Sequence, residues 1–241
     1  MYKQVHKSKD RGVTKIDWLD SKHSFSFGEY YNEKANGFGD LLVLNDDIIQ
    51  PNRGFGVHPH NNMEIISIIL EGVLQHRDNM GNIGRIQKNE VQVMSAGTGV
   101  RHAEVNPSPT EKVNLLQIWI QPSERDVKPR YDQKQYILKK NTLTTVVSGK
   151  KDKTRLYIHQ NASLSLLDLQ KGKKNSYTLS VGRGVYIFVV DGTVVIEKEK
   201  LDVRDAIALS DTKKIEIEAT KDAEILLIEV NLKNNTQENK Q

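Results

Sequence analysis

No cysteine occurs in the 241 residues of this chain. Disulfides, thiolate metal sites and cysteine nucleophiles are thereby excluded, and any metal must be held by nitrogen and oxygen donors. Long apolar runs are missing too. No stretch approaches the roughly 18 residues of a membrane helix, and the opening Met1-Tyr2-Lys3-Gln4-Val5-His6-Lys7 is too polar for a secretory leader. No membrane association is expected, and the cytoplasm is the expected compartment. Charge of one sign is scarcely in excess: 35 Lys+Arg against 31 Asp+Glu leave a net charge of +4, spread along the chain. The one basic cluster, Lys150-Lys151-Asp152-Lys153, reads as a solvated turn. Direct nucleic-acid binding would need a denser patch and is not expected. Helical periodicity is nearly absent, no serine–histidine–acid grouping suggests a nucleophilic triad, and Gly97-Thr98-Gly99 lacks the helix and lysine of a phosphate loop.

What is present is a succession of short strands. Residues 23–27 alternate aromatic and polar side chains, as a half-buried strand would. Leu41-Leu42-Val43-Leu44 reads as a buried strand ending in the turn-prone Asn45-Asp46-Asp47. Strands follow at 64–70, 73–77, 90–94 and 114–120, with turn signals about every ten residues. Residues 121–141, with Pro122, Pro129 and many charges, read as a linker. Strands then resume at 144–147, 156–158, 177–180, 185–190, 194–197, 206–209, 215–219 and 225–230, with 163–168 a short turn or strand. This pattern predicts an all-β protein of two tandem barrels. Residues 1–135 form the first, 136–232 the second, and 233–241 a disordered tail.

The second unit echoes the first. Ile68-Ile69-Leu70-Glu71-Gly72-Val73 matches Phe188-Val189-Val190-Asp191-Gly192-Thr193, with the glycines 192 − 72 = 120 residues apart. Carried by that offset, His58, His60, Glu64 and His102 fall on Thr178, Ser180, Gly184 and Asp222. The scaffold is repeated and the metal-binding side chains are not.

Those side chains lie in two stretches of the first unit. Phe55-Gly56-Val57-His58-Pro59-His60 carries one pair of ligand types two residues apart, and Arg101-His102-Ala103-Glu104 carries another. Alternate residues of a strand share a face, so two facing strands would bring His58, His60, His102 and Glu104 to one point. Three imidazoles and a carboxylate suit one mononuclear divalent transition metal with positions left open for water, dioxygen or substrate. Glu64 competes with Glu104 for the carboxylate position. It shares strand parity with His58 and His60, yet a regular strand would carry it about 13 Å beyond His60. Glu104 is therefore the expected ligand and Glu64 a supporting buried group. His23 is a second supporting candidate, through its neighbours Phe25 and Phe27. His6 and His159 read as surface residues and His76 as solvent-facing.

The motifs are also recognisable. Gly56-Val57-His58-Pro59-His60 followed by Met63-Glu64-Ile65, Leu70-Glu71-Gly72 and Ser95-Ala96-Gly97-Thr98-Gly99-Val100-Arg101-His102-Ala103-Glu104-Val105-Asn106 resembles the pirin family of bicupins. Trp18-Leu19-Asp20-Ser21-Lys22-His23-Ser24-Phe25-Ser26-Phe27-Gly28 and Gln117-Ile118-Trp119-Ile120 resemble further signatures of that family. The resemblance implies two cupin barrels packed face to face with a metal only in the first, held by His58, His60, His102 and Glu104. It implies Fe2+ as the expected metal, with Mn, Ni, Cu, Co or Zn acceptable to the same donors. It further implies a dioxygenase that opens quercetin-type flavonols with O2; in that reading Glu104 is the expected catalytic base, and Phe27, Phe55 and Met94 are the apolar candidates to line the substrate pocket. The alternative it implies is a metal- or redox-responsive regulator acting through a protein partner. A pocket open to the metal and wide enough for a three-ring ligand would favour the enzyme.

Overall fold

The computed structural model describes residues 1–232, and the expected tail at 233–241 lies outside the described residues. Apart from one short 3-10 turn at Ser8–Asp10, the regular structure of the described residues is β. No helix among the described residues is long and apolar enough to cross a membrane.

Two sheets of seven strands pack face to face. The first runs, in spatial order, Arg130–Gln135, Glu90–Ser95, Glu64–Glu71, Val113–Ile120, Leu41–Ile49, Leu19–His23 and Gly12–Lys15. The second runs Tyr2–His6, Ala206–Ser210, Arg183–Asp191, Ala223–Asn231, Ser163–Leu169, Thr144–Ser148 and Leu156–Tyr157. The middle strands of each sheet are apolar on both faces because each sheet is covered twice. Between the sheets lies a shared core in which Ile66, Ile68, Leu116 and Ile118 meet Leu164, Leu166, Tyr186, Phe188 and Ile228.

On its outer side each large sheet is closed into a barrel by a sheet of four. The first is Gly54–His60, Val100–Val105, Val73–Asp78 and Ile83–Gln87; the second is Lys174–Thr178, Lys214–Ala219, Val194–Ile196 and Glu199–Leu201. The two orders correspond strand for strand, so the repeat read from the glycines is structural. Gly72 and Gly192 confirm it in detail. Both have positive φ (77° and 84°), and a Cβ on either would lie 2.5 Å or less from a carbonyl oxygen, of Lys112 and Asp222 respectively.

The interiors differ. The second barrel is filled by Leu167, Val185, Ile187, Ile207, Leu209, Ile215, Ile217, Leu227 and their neighbours. The strand corresponding to the one that bears His102 is Lys214–Ala219, so the fixed offset of 120 that carried His102 to Asp222 fails there. That strand turns Ile215, Ile217 and Ala219 inward. Among the described residues, both groups of three or more metal-ligating side chains lie in the first barrel.

Three sequence expectations need correction. Asn45, Asp46 and Asp47 do not end a strand; they lie inside Leu41–Ile49, all buried, because each finds a polar partner across the sheet. Residues 23–27 are not one strand: Leu19–His23 ends at His23, and the chain leaves the sheet there. The stretch 121–141 is not wholly a linker, since Arg130–Gln135 pairs along Glu90–Ser95 at the edge of the first sheet. Tyr2–His6 does the same for the second sheet against Ala206–Ser210, so each half closes the edge of a sheet with a strand from outside its main body.

Candidate metal centre

The strand Gly54–His60 lies antiparallel to Val100–Val105, with His58 directly opposite His102 and Pro59 opposite Arg101. Strand alternation turns His58, His60 and His102 to the barrel interior, as their spacing predicts. A register shift between His102 and Glu104 places Phe55 opposite Glu104. That bulge lets Phe55 and His58, three residues apart, both face inward.

The three imidazoles converge. Ring centroids are 4.5 Å apart for His58–His102, 4.8 Å for His58–His60 and 4.9 Å for His60–His102. One nitrogen from each lies within 4.8 Å of the other two. Burial, with the neighbouring imidazoles, lowers His60 to about 4 and His102 to about 3. Both rings are therefore neutral near pH 7, with lone pairs available to a cation. Nδ1 of His58 donates to the carbonyl of Gly56 at 2.7 Å, so in the neutral ring Nε2 is the bare nitrogen. Nε2 of His102 is buried and has no protein partner. A buried polar atom without a partner is costly, and a divalent metal would satisfy it. The donors present fit a first-row divalent ion.

Glu104 is buried beside the triad, and in this geometry it groups with His102 and His76 rather than with all three imidazoles. Its oxygens are held by amides and a hydroxyl. Oε1 accepts from Gln92 Nε2 at 2.7 Å and Ser67 Oγ at 3.3 Å, and Oε2 accepts from Gln117 Nε2 at 2.7 Å. Oε2, with one donor, keeps a further lone pair. These clamps come from one line of residues directly opposed across the large sheet: Gln92, Ser67, Gln117, Asn45 and His23. Sequence reading missed that line. Its signal is a single polar side chain interrupting each of several apolar strands.

A cavity of about 360 Å³ opens on the imidazoles, lined on its apolar sides by Leu19, Phe27, Phe55, Ile65 and Trp119. Phe27 packs edge-on to Trp119 (5.4 Å) and Trp119 edge-on to His60 (4.9 Å). The opposite wall is polar: Thr14, Ser21, His23, Asn45 and Asp47. His23 bonds Asn45 through Nδ1 at 2.9 Å and Thr14 through Nε2 at 2.8 Å, and Ser21 donates to Asp47. Burial raises the Asp47 carboxyl to about 7, with the charges of Asp46 and Glu104 adding to it.

The expected site residues separate accordingly. Phe27, Phe55 and His23 line the cavity. Met94 does not: it is fully buried behind Ile65, its cross-strand neighbour, in a cluster with Val100. Glu64 does not support the centre either. Strand alternation places it on the opposite face from Ile65 and Ser67, where it accepts from Ser95 Oγ at 2.8 Å and feels Arg130. Its parity with His58 was misleading because the two belong to different strands in different sheets. His76 is not solvent-facing but buried, 3.1 Å from Asp78 and stacked on Tyr131. His6 is not a surface residue; it packs edge-on to Phe25 and Tyr186 between the halves. His159 is partly covered and lies 3.3 Å from Glu124.

Comparison with known proteins gives the lineage. The family model described as Pirin matches residues 5–120, and that described as Quercetinase C-terminal cupin domain matches residues 145–230. A protein named quercetin 2,3-dioxygenase from Escherichia coli K12 is 40% identical over 226 residues, covering 94% of this chain and 97% of that one. A pirin-like protein of Caulobacter vibrioides is 39% identical, covering 88% and 92%. The solved structure of the bacterial pirin YhhW from Escherichia coli in complex with nickel(II) superposes with a TM-score of 0.92 at 39% identity, over 96% of this chain and all of that one. With that identity along nearly its whole length, and two cupin-type barrels in the order those proteins have, the chain belongs to the pirin family.

Proposed function

We propose that His58, His60, His102 and Glu104 hold one divalent transition metal, and that the protein is a dioxygenase opening quercetin-type flavonols with O2. The cavity carries this reading. About 360 Å³ of mostly apolar space adjoins the three imidazoles directly, within the roughly 300–1,000 Å³ usual for small-molecule sites. The polar wall across from the imidazoles matches a planar aromatic that carries hydroxyls. The relatives named for this activity support the same substrate class. Iron is the metal we expect; the related Escherichia coli pirin is known in complex with nickel(II), a divalent ion that the same donor types accept.

When bound, the metal supplies Lewis acidity that lowers the pKa of a coordinated hydroxyl, together with open positions for substrate and O2. The rest is the protein's work. Phe27, Phe55 and Trp119 flank the ring system and exclude water from it. Glu104, held by Gln92, Ser67 and Gln117, takes the proton of the flavonol 3-hydroxyl as general base on the oxygen that it would otherwise offer the metal. Asn45, Ser21 and Asp47 meet hydroxyls at the far end of the substrate. In the overall reaction the flavonol heterocycle gains both atoms of O2 and releases carbon monoxide, so no external reductant is needed.

The test is quercetin consumption under air by protein loaded with Fe(II), Mn(II), Ni(II) or Cu(II), beside the double variant His58→Ala/His60→Ala. Turnover that needs the metal and is lost in the variant is the expected result. No turnover by protein shown to be loaded would overturn the enzyme and favour the metal-responsive regulator.

A further inference from the structure

We infer that Asp78 and His76 are positioning residues for His102, fixing through two hydrogen bonds which of its nitrogens is free for a metal. The inference rests on the metal-centre reading above, but its central observable does not require a metal.

The three residues stand in line. His102 is directly opposite Asp78, and Glu104 opposite His76, across the strands Val100–Val105 and Val73–Asp78. His76 Nε2 lies 3.1 Å from Asp78 Oδ2, and His76 Nδ1 lies 3.4 Å from His102 Nδ1. The side chains of His76 and Asp78 are wholly shielded from solvent. Nothing competes for those atoms except the protein itself.

Proton positions follow from the chemistry of the end group. Asp78 is a carboxylate already serving a turn: Oδ1 accepts from the N–H groups of Met80 and Asn82, and Oδ2 from the side-chain amide of Asn82. A carboxylate only accepts, so the His76 nitrogen facing it carries the hydrogen. With its single hydrogen on Nε2, His76 presents a bare Nδ1 to His102. For the two facing Nδ1 atoms to bond, His102 must supply the hydrogen, which leaves its Nε2 bare. That nitrogen is the buried atom without a protein partner. Reversing the line would face the bare Nε2 of His76 against the carboxylate, setting two acceptors together.

His76 is also held by its surroundings. Its ring stacks on Tyr131, with centroids 4.4 Å apart and planes 23° apart. The position opposite His76 on the next strand is Gly84, where a Cβ would fall 2.1 Å from the Tyr131 hydroxyl. Absence of a side chain at Gly84 makes room for the stack. Residues that orient a ligand histidine in this way commonly change metal affinity by about 10–100-fold when altered.

The experiment measures histidine tautomers by 15N NMR in the metal-free chain, and metal affinity by chelator competition with Ni(II) and Zn(II). Wild-type His102 is expected as the Nδ1–H tautomer. Asp78→Asn keeps an oxygen for the turn but presents an amide donor to His76. It should shift His102 to the Nε2–H form and weaken both metals about 10–100-fold. His76→Phe removes the acceptor and should weaken them similarly; thermal melts of the metal-free variants show whether each is folded. His58→Ala/His60→Ala should lose metal while His102 keeps its wild-type tautomer. An Nε2–H tautomer in the wild type, or wild-type affinity in folded Asp78→Asn or His76→Phe, would overturn the relay. Failure of the wild type to bind either metal, with the expected tautomer present, would instead strike the metal-centre reading alone.

Discussion

His58 and His102 are direct partners across two antiparallel strands, and their ring centroids lie 4.5 Å apart. Neither ring is needed to close the barrel, because the backbone ladder does that. Replacing His58 or His60, both only partly buried, should therefore remove metal without unfolding the chain. We expect His58→Ala and His60→Ala each to drop metal content below about a tenth of wild type after dialysis. The metal-free melting temperature should move by less than about 4 °C, as for a surface-like change. Metal analysis and calorimetry on the same samples check both halves of the expectation.

Glu104 differs, since its carboxylate is the common acceptor for two amides and a hydroxyl. Glu104→Gln sets an amide nitrogen against donors from Gln92 or Gln117. One buried donor is left unpaired, at a cost of about 1–3 kcal/mol. The metal-free melting temperature should fall by about 3–10 °C, and turnover should be lost. A variant as stable as wild type would show that the clamp on Glu104 contributes nothing to folding.

Phe27 tests the pocket. Its ring packs against Trp119 and His23 at the cavity wall. Phe27→Ala should raise the KM for quercetin about tenfold or more, from the lost burial of one ring, with kcat changed less. An unchanged KM would place the substrate elsewhere.

Glu64 gives the protein a pH dependence unrelated to the metal. Burial raises its carboxyl to about 7, against hydrogen bonding from Ser95, the charge of Arg130 and the main chain of His159, which lower it. Below about pH 4.5 the group is protonated in both folded and unfolded chains. Between about 4.5 and 7 the unfolded chain releases the proton first, so folding stability falls as pH rises through that window. Glu64→Gln removes this contribution. Relative to wild type, its melting temperature should improve by about 4–8 °C on going from pH 4.5 to pH 8, following from a shift worth at most about 3 kcal/mol. Asp47 has the same sign, so wild type with the Glu64 change should retain part of the slope.

Gly72 and Gly192 offer a paired test of the repeat. Alanine at either position must hold a positive φ and push a Cβ against a carbonyl oxygen, at 2.5 Å for Gly72 and 2.0 Å for Gly192. Both substitutions should destabilise by more than about 1 kcal/mol, with Gly192→Ala the worse, as denaturant midpoints would show.

Ligand types and spacings in the first unit, the strand-turn rhythm and the paired glycines were enough to give the two-barrel architecture and the histidine triad, because alternation along a strand is a local rule. His58 and His60 share a face by counting in twos; that His102 meets them depends on the pairing of its strand with theirs. What counting could not supply was which sheet each strand joins. Glu64 and His58 have the same parity yet face different compartments, since one strand belongs to the inner sheet and the other to the outer. Asn45 and Asp47 read as a turn because their partners, His23 and Ser21, lie more than twenty residues away and are brought opposite only by strand pairing. His76 read as exposed for the same reason: its burial depends on His102 and Tyr131, which two other strands deliver. The sequence by itself determined the repeating local geometry and the donor chemistry. Tertiary structure alone decided which polar side chains were shielded from water together, because burial depends on partners that the order of the chain does not reveal.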